Sequence, residues 1–244
     1  MNTKIFALIT KNLQSAFSLP KYSKISIGAD TKIAELPWTP ARFKKFRDAI
    51  WHELQLHSDF EGTVTQVVDS LSEQYTQRFF SEIWRPRTGD YEHSGWALVE
   101  EINALNPQSV LDVGCGYHPF KGRINNLVGI DPYNDAADFE VDILNYRVKP
   151  GTHDVIIALG SINFNSKQDV EQRFAHCVSL LAPGGRFYLR ANPGIPHRTG
   201  PWVDIFPWSF EIVHEFAERY NLKLLEFRKE PAELGRLYFV YQKL

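Results

Sequence analysis

Hydrophobic periodicity divides the chain into a helical first part and an alternating second part. Residues 1–38 give no sustained period, because Pro20, Gly28 and Pro37 interrupt it, and an irregular arm is expected there. At Thr39-Pro40 the pattern sharpens: threonine suits an N-cap, proline suits the first helical position, and Phe43, Phe46, Ile50 and Leu54 then share one face. This predicts a helix to about Leu56. A second is predicted from about Glu61 to Trp84, where Val64, Val67, Val68, Leu71, Tyr75, Phe79 and Ile83 repeat at helical spacing. Both stripes are explained by packing of a helical cap, with a substrate groove as the alternative.

From residue 93 short apolar runs alternate with helical patterns. A helix over His93–Leu105 leads to strands at Val110–Val113 and Val128–Ile130, then to a strand around Phe139–Val141. His153–Gly160 is an almost continuous apolar run, the signature of a parallel strand buried on both faces. A helix over Lys167–Leu181 follows, with Val170, Phe174, Val178 and Leu181 as its buried face, and a fifth strand lies within residues 180–194. Ser209 caps a last helix to about Tyr220, and Leu222–Phe227 and Leu237–Tyr241 read as two strands. Residues 228–236 are too short a connection for a crossover helix, so these two strands pair antiparallel. The same argument applies to Pro132–Asp138: no second crossover helix fits there, and the strand around Phe139–Val141 is expected to be short. Between Asp112 and Asp131 there is room for about three helical turns at most.

The chemistry concentrates in Ser109–Phe120, SVLDVGCGYHPF, and in Val128–Tyr133, VGIDPY. A strand runs into the turn Gly114-Cys115-Gly116, where missing Cβ atoms let a ligand approach the backbone. The next strand ends in Asp131, a carboxylate able to accept two ribose hydroxyls. The dinucleotide fingerprint would need glycine at position 119, which is Pro119. Asp112, two residues before the first glycine, would serve a pyrophosphate poorly and a cationic amino acid moiety well. These features favour S-adenosylmethionine over a dinucleotide.

Ser109–Phe120 resembles motif I of the class I, Rossmann-like S-adenosylmethionine-dependent methyltransferases, and LLAPGGRFYLRANPG, residues 180–194, is similar to the corresponding later segment of that family. The resemblance extends over most of residues 93–244. It implies an α/β fold with a Rossmann-like seven-stranded, mostly parallel sheet carrying one antiparallel strand, in a compact variant, preceded by an arm and helical cap over residues 1–92. It also implies S-adenosyl-L-methionine as cofactor, held by Asp112, Gly114, Cys115, Gly116, Asp131, Asp142, Ile143 and Gly160. Asp142-Ile143-Leu144 matches the family's acid and apolar grip on adenine, with a helix cap as the alternative for Asp142. Segments before the first helix of the domain fold over the cofactor in the family, which makes Trp84, Arg85, Arg87 and Tyr91 lid candidates; an ordinary linker is the alternative.

Beyond Gly160 the family places acceptor-facing side chains, here Asn163. The chain lacks the Asn or Asp-Pro-Pro-aromatic motif of methyltransferases acting on adenine or glutamine nitrogen, and neither cysteine follows a proline as in cytosine C5 enzymes. The loop Asn192–Trp208 is long, with four prolines and two tryptophans, and such loops are commonly functional. It is expected to wall the acceptor site, with Trp202, Phe206 and Trp208 as apolar surface and His197, Arg198 and Asp204 as polar groups; a rigid structural loop with Trp208 buried is the alternative. The substrate-binding candidates are thus Asn163, Arg198 and Trp202. Should the acceptor be a hydroxyl, His118 beside the glycine turn or His197 in the loop is the catalytic candidate, since imidazole takes a proton near neutral pH. Either histidine is also compatible with a plain polar role.

Composition narrows the surroundings. The chain has 244 residues, 43% of them hydrophobic, enough for a substantial core. Cys115 and Cys177 are its two cysteines and point to reduced thiols; no ligand spacing suggests a metal. No apolar run is long enough to cross a membrane and no signal-like segment is evident, so a cytoplasmic protein is expected. Residues 1–47 carry nine Lys or Arg against two acids, a charge of +7, so the remainder must carry −9 to reach the net −2. That arm either solvates a cap or touches something acidic. The sequence therefore favours a small-molecule methyltransferase; an RNA-modifying methyltransferase using the basic arm and a noncatalytic cofactor-binding protein are the alternatives. The oligomeric state is open.

Overall fold

The computed structural model describes residues 3–17, 39–56, 79–83, 93–193, 205–231 and 235–244, with a few isolated positions between them. The chain divides into two compact units, residues 1–79 and 80–244. In the first, the expected irregular arm instead begins with a helix, α1 (Thr3–Phe17). Its buried positions Ile9, Leu13 and Ala16 recur at helical spacing. The interrupting residues Pro20, Gly28 and Pro37 all lie beyond its end. α1 packs against α2 (Pro40–Leu56), which forms as anticipated: the Arg42 N–H reaches Thr39 Oγ1 at 3.2 Å, and Phe43, Phe46 and Ile50 are buried. Of the helix predicted over Glu61–Trp84, most lies outside the described residues; its end, Phe79–Ile83, is a five-residue π-helical turn.

The second unit is an α/β domain built on a six-stranded sheet. Its elements are α3 (Ala97–Ala104), β1 (Val110–Val113), β2 (Leu127–Ile130), β3 (His153–Leu159), α4 (Lys167–Leu180), β4 (Leu181–Ala191), α5 (Phe210–Arg219), β5 (Leu222–Lys229) and β6 (Leu237–Lys243). The strand order is β2-β1-β3-β4-β6-β5, with the first four parallel and β6 antiparallel to both its neighbours. Strand alternation sends Leu111, Val113, Ile156 and Phe187 to one face, under α4 and α5. Val110, Val155, Ile157 and Tyr188 go to the other, under α3 and the Phe120–Ile124 turn. α4 is fixed by a capping box between Ser166 and Asp169, and α5 by Ser209, whose Oγ accepts from the Ile212 N–H at 3.3 Å.

Two departures from expectation share one cause, a shortage of chain. The sheet has six strands and not seven, because the segment at Phe139 contributes only an isolated parallel bridge to Ile130. Seven residues of connection cannot carry a helical crossover, so the segment turns back on Gly129, whose carbonyl accepts from Asp138 and Phe139. The β1–β2 connection holds turns and one i to i+4 bond, Ile124 N–H to Phe120 O, in place of a helix of up to three turns. His118, Gly122 and Asn126 adopt positive φ of 52°, 73° and 54°, which no continuous right-handed helix accommodates.

Candidate functional site

β1 lies in the interior of the sheet, between β2 and β3, and its carboxyl end is where open parallel sheets bind ligands. The chain leaves it through Gly114 and Gly116, both left-handed at φ +69° and +56°. At Gly114 a side chain is excluded as well by space, since a Cβ would stand 2.3 Å from Ser161 Cβ. The peptide of Gly114 is itself exposed. The Gly114 and Cys115 N–H groups donate to Ile130 O at 2.8 and 3.0 Å, which ties the turn to the end of β2. Asp131 completes that tie: its Oδ2 accepts from the Gly116 N–H at 3.0 Å and its Oδ1 from the Tyr133 N–H at 2.8 Å.

Asp112 is the anomalous group. It is 3% exposed, and its Oδ2 has no hydrogen-bond partner within the protein. Burial, and after it the charge of Asp131, pushes its carboxyl from 3.8 up to about 7. Asp131 is raised too, by burial, against the lowering effect of the backbone N–H groups of Tyr133, Gly116 and Asn134. Two buried acids with an unsatisfied oxygen, beside an exposed glycine, make a site suited to a cationic group carrying hydroxyls. Among the described residues no group of three or more His, Cys, Asp or Glu is arranged to hold a metal ion.

At the end of β3, Gly160 has φ +105° and Ser161 donates its hydroxyl to Val113 O. Asn163, expected to face the acceptor, is 1% exposed and does a different job. Its Nδ2 donates to Gly160 O at 3.2 Å, its Oδ1 accepts from the Asn192 N–H at 3.0 Å, and its carbonyl accepts from the Phe206 N–H at 2.8 Å. One asparagine thus joins the two ends of the 192–208 loop. Phe206 and Trp208, expected on the acceptor wall, are core residues, so the structural alternative holds for them. Trp208 is 1% exposed, donates Nε1–H to Ile162 O at 2.9 Å and packs among Phe174, Phe206, Phe216 and Phe239. His197, Arg198, Trp202 and Asp204 lie outside the described residues, as do the lid candidates Trp84, Arg85, Arg87 and Tyr91.

The remaining sequence candidates divide between scaffold and cap. His118 is buried, and its Nε2 lies 2.8 Å from Asp138 Oδ2. Its ring fills the space over Gly129, where a Cβ would stand 2.5 Å from Cε1 and Nε2. Such a histidine braces the glycine turn against the Pro132–Asp138 connection through Nε2, while its buried Nδ1 has no hydrogen-bond partner within the protein. Burial alone would raise Asp138, but hydrogen bonds from Lys121, the Gly129 N–H and His118 outweigh it and hold that carboxyl below the usual carboxylate range. Cys115 is buried against the same glycine, and burial pushes its thiol well up. Asp142 takes the helix-cap alternative: Oδ1 accepts from the Leu144 N–H at 2.8 Å and Oδ2 pairs with Arg173, leaving its expected bond to adenine in competition with two existing ones. Ile143 is buried in the core beneath it.

Sequence reasoning missed an aromatic group at this edge, formed by Phe80, Tyr133 and Phe164 with Tyr117 beside it. Tyr133 and Phe164 carried a usable signal, since each follows shortly after a strand end that bears a candidate residue. Phe80 carried none, because its partners are remote in sequence.

No protein-family model matches the chain, and no curated protein matches it in sequence. Solved structures do match. One is the 1,6-didemethyltoxoflavin-N1-methyltransferase of Burkholderia thailandensis with bound 1,6-didemethyltoxoflavin and S-adenosylhomocysteine: TM-score 0.50 at 15% identity, covering 79% of this chain and 89% of that one. Others are the magnesium protoporphyrin IX methyltransferase of Synechocystis PCC 6803 with bound SAH, at TM-score 0.49, 12% identity and 61% and 81% coverage, and an amino pentose methyltransferase of Micromonospora echinaspora with bound SAM, at TM-score 0.47, 16% identity and 61% and 89% coverage. At such identities the likeness is one of fold.

Proposed function

We propose that this chain, which has the fold of the class I S-adenosylmethionine-dependent methyltransferases, transfers a methyl group from S-adenosyl-L-methionine to an oxygen or nitrogen of a small molecule. The observation that carries the reading is the buried, unpartnered Oδ2 of Asp112 beside the exposed Gly114 and the tethered Asp131. A dinucleotide would bring a pyrophosphate to that carboxylate, whereas the amino acid end of S-adenosylmethionine brings an ammonium.

When bound, S-adenosylmethionine supplies a methyl group already activated by the sulfonium charge. The residues of the chain then have to bind, align and exclude water. Asp112 receives the ammonium and is held ionised by it. Asp131, kept in place by backbone N–H groups that include those of Gly116 and Tyr133, is the carboxylate that meets the ribose hydroxyls. Gly114 and Gly116 let the ligand lie against the backbone, and Gly160 leaves the end of β3 open in the same way. His118 steadies the turn through Asp138, which leaves His197, in the loop whose ends Asn163 joins, as the base for a hydroxyl acceptor. Arg198 and Trp202 of that loop are the proposed acceptor contacts.

Calorimetric titration with S-adenosylmethionine, S-adenosylhomocysteine and NAD tests the reading. Micromolar binding of both sulfur ligands and none of NAD is expected, and a failure of both to bind sinks it. A methyl-transfer screen on metabolites and on RNA then separates the acceptor classes: RNA binding that weakens steeply with salt would favour the basic arm as a nucleic-acid contact over a small-molecule acceptor.

A further inference from the structure

Three segments at the carboxyl edge of the sheet converge on Phe80 and Ser81, which precede the α/β elements in the chain. The Phe80 ring lies nearly parallel to Tyr133, with centroids 6.0 Å apart and planes at 12°. It meets Phe164 edge-on at 5.5 Å and 64°. The carbonyl of Ser81 accepts the Tyr117 hydroxyl. Each partner comes from a different connection. Tyr117 follows Gly116 in the turn after β1, Tyr133 follows Asp131 at the end of β2, and Phe164 follows Asn163 beyond β3.

Sheet order turns these contacts into a location. β1 lies between β2 and β3, so a ring that touches both Tyr133 and Phe164 reaches across the carboxyl end of β1, where the glycine turn begins. All four aromatic residues are half-buried, which marks a cover at the surface and not a part of the core. Tyr133 is moreover oriented by its N–H bond to Asp131, so the cover and the ribose carboxylate share one anchor. Stacked rings and a single hydroxyl bond are individually weak, so such a cover can open without unfolding the domain.

Resting on the reading above, we propose that Phe80 is a cofactor-site residue: its ring is the aromatic cover over the glycine turn, Tyr117 latches it, and the latch sets how fast the adenosyl ligand leaves. A π-face over this turn excludes water from the ligand and tolerates a cationic sulfur centre. Phe80 acts through contact with the ligand, and Tyr117 acts through Phe80 as a positioning residue.

The test follows S-adenosylhomocysteine binding by calorimetry and its dissociation by stopped flow, in the full chain and in Phe80→Ala, Phe80→Tyr and Tyr117→Phe. Dissociation should speed up roughly tenfold in Phe80→Ala and severalfold in Tyr117→Phe, with association changed much less, while Phe80→Tyr restores slow release. Unchanged dissociation in variants that still bind overturns the cover and leaves the cofactor reading intact. Absence of binding to the wild-type chain overturns both. Should Phe80→Ala fail to fold, hydrogen exchange of residues 79–83 in the wild-type chain decides instead. Protection on adding S-adenosylhomocysteine supports the cover, and identical exchange with and without the ligand refutes it.

Discussion

Gly116 donates its backbone N–H to Asp131 Oδ2 at 3.0 Å, and this bond makes the glycine turn and the acid at the end of β2 one unit. The same carboxylate accepts from Tyr133, so Asp131 organises two loops before any ligand arrives. Asp131→Ala should therefore cost stability, about 1–3 kcal/mol for the buried N–H groups left without acceptors. It should also weaken S-adenosylhomocysteine binding more than tenfold, by roughly 1.4 kcal/mol or more. Asp131→Asn, which keeps one acceptor oxygen, should recover part of the stability and less of the affinity. Thermal melts and calorimetry on the same preparations separate the two losses, and unchanged affinity in a folded Asp131→Ala protein would refute the assignment of this carboxylate.

Asp112 gives the site a pH dependence of predictable sign. Its carboxyl is raised from 3.8 to about 7 by burial first and by the Asp131 charge second, so between those values the folded state holds a proton that the unfolded state has lost. The contribution of Asp112 to stability therefore falls as pH rises across that window, and ligand-free protein pays the full penalty above it. Asp112→Asn should melt higher than wild type at about pH 8, with the gap closing toward about pH 4. Binding runs the other way, because an ammonium binds the ionised carboxylate. Wild-type affinity for S-adenosylhomocysteine should strengthen from about pH 6 to pH 8 with release of a proton, and Asp112→Asn should bind weakly with no such trend. Titrations in buffers of different ionisation enthalpy read the proton directly.

His118 and Gly129 form a matched pair. A Cβ at residue 129 would lie 2.5 Å from the imidazole and 2.9 Å from Cys115 Sγ. Gly129→Ala should push the ring off Asp138 and destabilise the domain by about 1–3 kcal/mol, the usual cost of overpacking. His118→Ala should lower both the melting temperature and the affinity for S-adenosylhomocysteine. A collapse of kcat with binding and stability untouched would instead make His118 the proton acceptor.

Asn163 predicts a split between the two ligands. Asn163→Ala removes the acceptor of the half-buried Asn192 N–H, at a cost of about 1–3 kcal/mol, and loosens the tie between Asn192 and Phe206. Acceptor KM should rise while the S-adenosylhomocysteine Kd stays near its wild-type value. Equal weakening of both would place Asn163 in the cofactor site. Trp208→Phe, which loses the Nε1 bond to Ile162 O deep in the core, should lower the melting temperature without this selectivity.

Much of the domain was legible in the chain because its signals are local. The continuous apolar run of β3 and the short link between β5 and β6 specify a buried parallel strand and an antiparallel pair from residue spacing alone. The brevity of Pro132–Asp138 already told that the edge strand would be slight, and it is reduced to one bridge. Asp112, Gly114, Gly116 and Asp131 were readable because a glycine turn between a strand and a carboxylate is a short-range motif. α1 was not read, although Ile9, Leu13 and Ala16 carry its period, because breakers further along dominated the reading of residues 1–38.

What the sequence by itself determined is the order of the six strands, the parallel core with its antiparallel end, and the residue types of the glycine turn, all of which follow from backbone preferences and spacing within a few residues. Only the tertiary structure decided what each polar side chain does there. Asn163, Asp142 and His118 have the chemistry to meet a ligand, yet Asn163 joins Asn192 to Phe206, Asp142 pairs with Arg173, and His118 fills the space that Gly129 leaves. Residues 11 to 43 positions away in the chain occupy those groups, and a hydrogen bond made inside the protein removes a group from service at the surface. Phe80 is the converse case: it lies outside the predicted helical stripe, and it meets Tyr133 and Phe164 because sheet order sets the strands that precede them on either side of β1.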